Sequence, residues 1–331
     1  MPRIGSQGNN ARQLRHAWRL SLLLLLLSVV VLGVIVFASA EFDAAAIRTL
    51  MGRMTPALIV SLLLLSCVNF ALRIGRWIWF THSLGLPVPW TGSAACYLGG
   101  FAMGVTPGRI GELIRLWQLR RDYGISYHRA LPLLIGDRIS DLIAVIVLAL
   151  GAGLMTTGAP LPAVLAAAAV VLLANAALRH PGYLIKAING LYGATRRGAR
   201  AFAAARRTLR TGRVLFSASN SAITAVISLA AWFAECIAFF VLLSALDTGV
   251  TLAAATFVYS FATLVGALSF LPGGLGGFEA TAVVMLGAWG VDLGSAAFAT
   301  TVIRLTTLWF SVALGGGVLA YSLFGRKILR E

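Results

Sequence analysis

Apolar runs long enough to cross a bilayer recur along this chain, at 20–37, 56–72, 131–155, 161–178, 218–246 and 297–324. An α-helix needs roughly 20 apolar residues to span the hydrocarbon core. Backbone inside that core must satisfy its own N–H and C=O groups, which leaves helices and closed barrels as the spanning structures. Runs of this length select helices, so the chain reads as an all-α polytopic membrane protein. Its composition agrees: 11% of residues are charged, whereas soluble domains carry about 25%.

The charges that remain are strongly basic, with 27 Lys and Arg against 11 Asp and Glu. They lie between the apolar runs, where such residues set orientation and hold anionic lipid headgroups, so nucleic acid is not the expected partner. Arg3, Arg12, Arg15 and Arg19 precede the first run, and A-S-A at 38–40 follows it. That tripeptide resembles a signal-peptidase site, but the run exceeds the about 7–15 residues of a cleaved signal. A retained signal-anchor is expected over 1–55. Residues 179–215 carry nine basic residues and no acid, as does a helix lying on the cytoplasmic leaflet. With positive charge inside, both termini, residues 73–129 and residues 179–215 face the cytoplasm. Residues 40–55, 156–160 and 247–296 face outward.

That parity holds only if 94–122 and 251–290 each leave the membrane on the side they entered. Both carry the same signal. Pro107-Gly108-x-Ile110-Gly111 aligns with Pro272-Gly273-x-Leu275-Gly276, and Arg138-Ile-Ser-x-Leu142 aligns with Arg304-Leu-Thr-x-Leu308. Matches in the same order at nearly one offset indicate an internal duplication. The expected fold is one membrane domain over 1–331, with a first repeat at 56–155, a span and basic loop at 156–216, and a second repeat at 217–326. The repeats are inverted, each with a re-entrant Pro-Gly hairpin. Proline ends the first arm and glycine allows the tight return. The second arm then starts near Gly111 or Gly276 with free N–H groups, a place suited to an anion. Gly100, Gly104 and Gly108 form a smooth stripe, read first as a surface for close helix packing and second as one for close approach of a lipid tail.

Charged residues within the apolar runs mark the candidate site. Asp137, Arg138 and Asp141 lie about two turns into the third span, Glu235 sits mid-span, and Glu279 and Arg304 stand almost alone in a stretch of about 80 residues. Each costs at least about 2.5–3.5 kcal/mol at the bilayer centre, so they face the protein interior and pair. One reading is a structural ion-pair lattice. The other is a substrate site in which Arg109, Arg138 and Arg304 take a lipid phosphate through forked hydrogen bonds. In that site one or more of Glu112, Glu235 and Glu279 binds a cationic headgroup or carries a coupling proton. Arg73 and Arg76 end a span at the interface, where topology alone accounts for them about as well as a place in the site. Cys67, Cys96 and Cys236 lie in apolar stretches without metal or disulfide spacing and read as small buried hydrophobes. No metal or cofactor is expected.

P-G-R-I-G-E at 107–112, D-R-I-S-D at 137–141 and F-L-P-G-G-L-G-G-F-E at 270–279 resemble the lysylphosphatidylglycerol synthase transmembrane region, a flippase-like family of bacterial and archaeal membranes. The family usually has Glu-Arg where this chain has Asp137-Arg138, and often a basic residue at the position of Phe278. The resemblance implies a stand-alone flippase-like module in the bacterial inner (plasma) membrane, and some members accompany hopanoid biosynthesis. The leading expectation is therefore a non-enzymatic lipid translocase holding an amphiphilic phospholipid or hopanoid-type lipid between inverted halves. No Walker motif is present, so movement is driven by a gradient or by no energy source at all. Two other readings stay open: an intramembrane enzyme on lipid-linked substrates, for which no catalytic motif is found, and a scaffold for lipid-biosynthesis enzymes docking through 179–215. The lipid, the direction of movement and the oligomeric state are not encoded in any motif.

Overall fold

The structure is a computed structural model and describes residues 44–106, 111–156, 159–196 and 198–322. The first apolar run, with A-S-A, and the chain end beyond 322 lie outside them. Every described element is helical. In chain order these are α1 (Ala44–Gly52), α2 (Pro56–Ser83), α3 (Trp90–Phe101), α4 (Ile114–Tyr123), α5 (Tyr127–Gly153), α6 (Leu161–Arg179), α7 (Gly182–Thr195), α8 (Ala199–Gly212), α9 (Ala218–Ala245), α10 (Leu252–Leu268), α11 (Gly277–Ala288), α12 (Leu293–Arg304) and α13 (Phe310–Ala320). A π-helical turn, Leu305–Trp309, joins α12 to α13 in one continuous rod.

Among the described residues, four helices are long and apolar enough to cross a membrane: α2, α6, α9 and the rod Leu293–Ala320. α5 has the length, at 27 residues, but carries Asp137, Arg138 and Asp141. Side-chain caps begin several of these helices. Thr55, Ser217, Thr251 and Asp292 accept the N–H of Leu58, Asn220, Ala254 and Ser295 at 3.2, 3.4, 3.2 and 2.8 Å, which satisfies donors that a helix start leaves open.

α2 and α9 form the central pair and run antiparallel. Asn69 Nδ2 donates to the Ala231 carbonyl at 2.9 Å, Arg76 Nη1 to Ser228 Oγ at 2.5 Å, and Trp79 Nε1 to Asn220 Oδ1 at 3.1 Å, so numbering rises along one helix as it falls along the other. On either side the short helices cross over. α3 packs on α13, where a Cβ on Gly315 would lie 2.4 Å from the Ala102 nitrogen. α10 packs on α5, where a Cβ on Gly153 would lie 2.9 Å from Phe257. Bare backbone is what allows these close passes.

Residues 182–212 are two helices rather than one. The Tyr192 and Phe202 rings meet at 5.4 Å, tilted by 55°, and Arg206 donates to Asn189 at 2.8 Å to hold the two helices together. α8 is seated on α5 through Thr208 and Gly212. On the opposite side Arg53 pairs with Asp247 at 2.9 Å, joining two segments that the charge rule placed together. Cys96 and Cys236 are buried as expected; Cys67 is not, and lies on the exposed face of α2.

Candidate functional site

The middles of the long helices enclose a cavity of about 280 Å³. Its walls are mostly apolar, from Phe70, Phe101, Val145, Trp232, Leu264 and Leu308, and they carry Arg73, Glu112, Arg138, Asp141, Glu235 and Arg304. Arg73, Asp141, Glu235 and Arg304 fall within four residues of the midpoints of their helices, which lie near residues 70, 140, 231 and 306. The charged patch therefore sits at mid-span depth.

Desolvating an ion costs several kcal/mol, which only close pairing and hydrogen bonds offset. The cluster supplies both. Arg76, fully buried, donates to Asp137 Oδ1 at 2.5 Å and pairs with Asp141 Oδ1 at 2.8 Å. Arg73 donates to Asp141 Oδ2 at 2.9 Å, and Trp232 Nε1 to Asp141 Oδ1 at 3.0 Å. Arg115 reaches Asp137 Oδ2 at 3.2 Å and Glu112 at 3.6 Å, with its guanidinium 4.0 Å from the centre of the Tyr97 ring. Arg138 is paired with Glu112 and lies 3.8 Å from both Asp137 and Asp141.

A second, smaller group sits at the glycine-rich turn 272–276. Arg304 Nε donates to Glu279 Oε1 at 2.7 Å and Nη2 to the Gly273 carbonyl at 2.6 Å. Glu279 Oε2 accepts the Gly276 N–H at 2.7 Å. Gly273, Gly274 and Gly276 hold φ of 62°, 71° and 83°, the left-handed region that glycine occupies at little cost. Glu235, on α9, accepts from the Tyr259 hydroxyl at 2.6 Å. Among the described residues no group of three or more His, Cys, Asp and Glu could hold a metal ion.

A family model described as the lysylphosphatidylglycerol synthase TM region matches residues 21–315. The chain belongs to that family. It is also similar to a UPF0104 membrane protein of the archaeon Methanothermobacter thermautotrophicus, 25% identical over 328 residues that cover 91% of this chain and 96% of the relative. A second UPF0104 membrane protein of that organism is 31% identical over 90 residues, 27% of each chain.

Within this family member the expected site residues separate into two groups. Glu112, Arg138, Asp141, Glu235 and Arg304 line the cavity. Asp137 is fully buried behind the wall, held by Arg76 and Arg115, and Glu279 lies behind Arg304. Arg109, Pro107 and Gly108 lie outside the described residues. The open N–H groups expected at both hairpins are in part already engaged: Gly111 donates to Thr106 Oγ1 at 2.6 Å and Gly276 to Glu279. Protein oxygen atoms hold the positions foreseen for an anion.

Three arginines lie deeper than their sequence context suggests. Arg115, within the 73–129 stretch expected to face the cytoplasm, is completely buried. Its neighbours Leu116 and Leu119 are buried too, while Arg120 is exposed, so the i, i+4 spacing of Arg115 and Leu119 was the available signal. Arg73 and Arg76 were left to topology, yet they are 5% and 0% exposed and hold both aspartates. The glycine stripe also has a different use at Gly100, where a Cβ would lie 2.1 Å from Arg115 Nε. That glycine makes room for a buried guanidinium rather than for a neighbouring backbone.

Proposed function

We propose that this chain handles an amphiphilic membrane lipid as a translocase, holding its polar headgroup in the mid-span cavity between two inverted repeats. The observation that carries the reading is the cavity itself: oily walls bearing Arg73, Arg138 and Arg304 beside Glu112, Asp141 and Glu235 at mid-span depth. Arg138 offers the outermost cation, with its side chain 32% exposed. Forked guanidinium groups suit a lipid phosphate, and the neighbouring carboxylates suit a cationic group on the same head. No bond of the lipid is broken in this reading.

The inverted arrangement draws support from matched contacts. Trp77 and Tyr97 meet at 5.5 Å, and Phe239 and Tyr259, each 162 positions later, meet at 5.7 Å. Glu112 with Arg138 corresponds to Glu279 with Arg304. α2 and α9 run antiparallel, as matching helices related by a two-fold axis in the membrane plane would. Val105, beside the first hairpin, touches Gly273 of the second, as two re-entrant turns entering from opposite sides would at mid-depth. Substrate sites between inverted halves are characteristic of transporters.

The test is transbilayer movement of fluorescent phosphatidylglycerol and phosphatidylethanolamine in vesicles containing the purified chain. The wild type accelerates at least one of them, and Arg138→Gln reduces the rate about tenfold or more while leaving the folded fraction intact. A wild type that moves neither lipid, beside a working scramblase control, refutes the reading.

A further inference from the structure

We propose that the cavity opens sideways into the bilayer at the second hairpin, and that a lipid's acyl chain lies in that opening while its headgroup fills the charged interior. The inference rests on the amphiphile reading of the cavity and adds where the tail goes. Of the described residues lining the cavity, the exposed ones are Ala267, Phe270 and Leu271; the rest are buried or half-buried. All three are apolar, and they lie together at the end of α10 and in the turn that follows.

Depth decides what an apolar mouth faces. Gly273, two residues beyond Leu271, packs against Leu308 and Val105, and Leu308 is next to the midpoint of the rod Leu293–Ala320. A mouth at that level meets hydrocarbon rather than water. Size gives the second argument. A cavity of about 280 Å³ is at the lower end of the roughly 300–1,000 Å³ typical of small-molecule sites, so it takes a headgroup and leaves the chains outside. An amphiphile seated there needs an apolar exit at the same depth, and these three residues form one.

The rim is built with care. Phe270 holds φ of 52°, which a bulky L residue rarely adopts. Ser269 fixes the turn, its Oγ donating to the Gly266 carbonyl at 2.8 Å and accepting the Leu271 N–H at 3.3 Å. The phenyl ring, 74% exposed, is thereby held at the edge of the opening, where strained backbone is often part of a functional site.

The experiment uses the full chain in phosphatidylcholine vesicles containing phosphatidylglycerol with a diazirine beside the ester of one acyl chain, the part nearest the seated headgroup, or, for the outer face, at the chain's end. After illumination, capture is mapped at Val145 and Leu264, which line the cavity at 2% and 5% exposure, and at Val170, 67% exposed on α6. We expect capture at all three. Ala267→Trp, at a position where bulk can point outward, should lower capture at Val145 and Leu264 at least fivefold and leave Val170 unchanged. Leu271→Trp serves as a second obstruction if the first variant is not monodisperse. Capture confined to Val170, or interior capture indifferent to both tryptophans, overturns the inference. Interior capture that tryptophan blocks, in a chain that moves no lipid, instead removes the translocase reading and leaves the side opening standing.

Discussion

Exchanging Asp137 for asparagine takes one negative charge from a cluster in which Arg73, Arg76, Arg115 and Arg138 face Glu112, Asp137 and Asp141. Asp137 is fully buried and holds Arg76 at 2.5 Å and Arg115 at 3.2 Å. Removing one partner of a buried ion pair typically costs about 3–5 kcal/mol, because the other charge is left uncompensated. Here the residual partners soften the loss: Arg76 keeps Asp141 at 2.8 Å and Arg115 keeps Glu112 at 3.6 Å. The low end, about 3 kcal/mol, is therefore the expected fall in unfolding free energy. Neutral hydrogen bonds between membrane helices average only about 0.6 kcal/mol in one measured system, so the two situations separate cleanly. Equilibrium unfolding in mixed micelles, with Arg115→Leu and the double variant completing a cycle, measures the loss and its coupling. A fall under about 1 kcal/mol, or no coupling between the two positions, would mean that the cluster is wet or not assembled, and the packing argument for these charges would be wrong.

Gly100→Ala forces Arg115 aside, since its Cβ would sit 2.1 Å from Nε; a loss of about 1–3 kcal/mol is expected, while Gly75→Ala, with nothing within 4 Å, gains up to about 1 kcal/mol, both read by thermal unfolding. Glu279→Gln and Arg304→Gln, combined in a double-mutant cycle, should show a coupling of about 1–3 kcal/mol in unfolding free energy; additive losses would deny their pairing. Asp292→Ala removes the cap on α12 and costs about 1 kcal/mol at neutral pH. Burial draws the Asp292 carboxyl upward, but the Ser295 N–H and hydroxyl and the Gly294 N–H outweigh it and hold it below the usual range. A depressed carboxylate stabilises the fold above its unfolded pKa of about 3.9 and loses that effect as pH falls. The difference between wild type and Asp292→Ala should therefore shrink below about pH 4 in a stability titration.

The element order was legible because it follows from local rules. The expected spans at 131–155, 161–178 and 218–246 differ from α5, α6 and α9 by four residues or fewer at each end. Asp137 and Asp141, one helical turn apart, share the buried face as their spacing required. Arg304 with Glu279 was legible as well, because two opposite charges in a long uncharged stretch have few other partners. Arg115 was hidden: it lies between Arg109 and the Arg120-Arg121 pair in a stretch that looks like a cytoplasmic flank, and only packing against α3 sets its guanidinium on the Tyr97 ring. Arg73 and Arg76 were hidden for a related reason, since a basic pair closing an apolar run has the same sequence pattern whether it anchors the helix or enters a core.

The run lengths, basic flanks and repeated Pro-Gly turns of this chain determined that it is helical and membrane-embedded, because a bilayer imposes those constraints on every short segment separately. Which charges meet was settled only in three dimensions. Asp141 draws Arg73 and Arg76 from α2 and Trp232 from α9, partners 65 to 91 positions away, and no local pattern encodes a distance across packed helices. The cavity is likewise a property of how α2, α5, α9, α10 and the rod Leu293–Ala320 leave space between them, so it exists only once they are assembled.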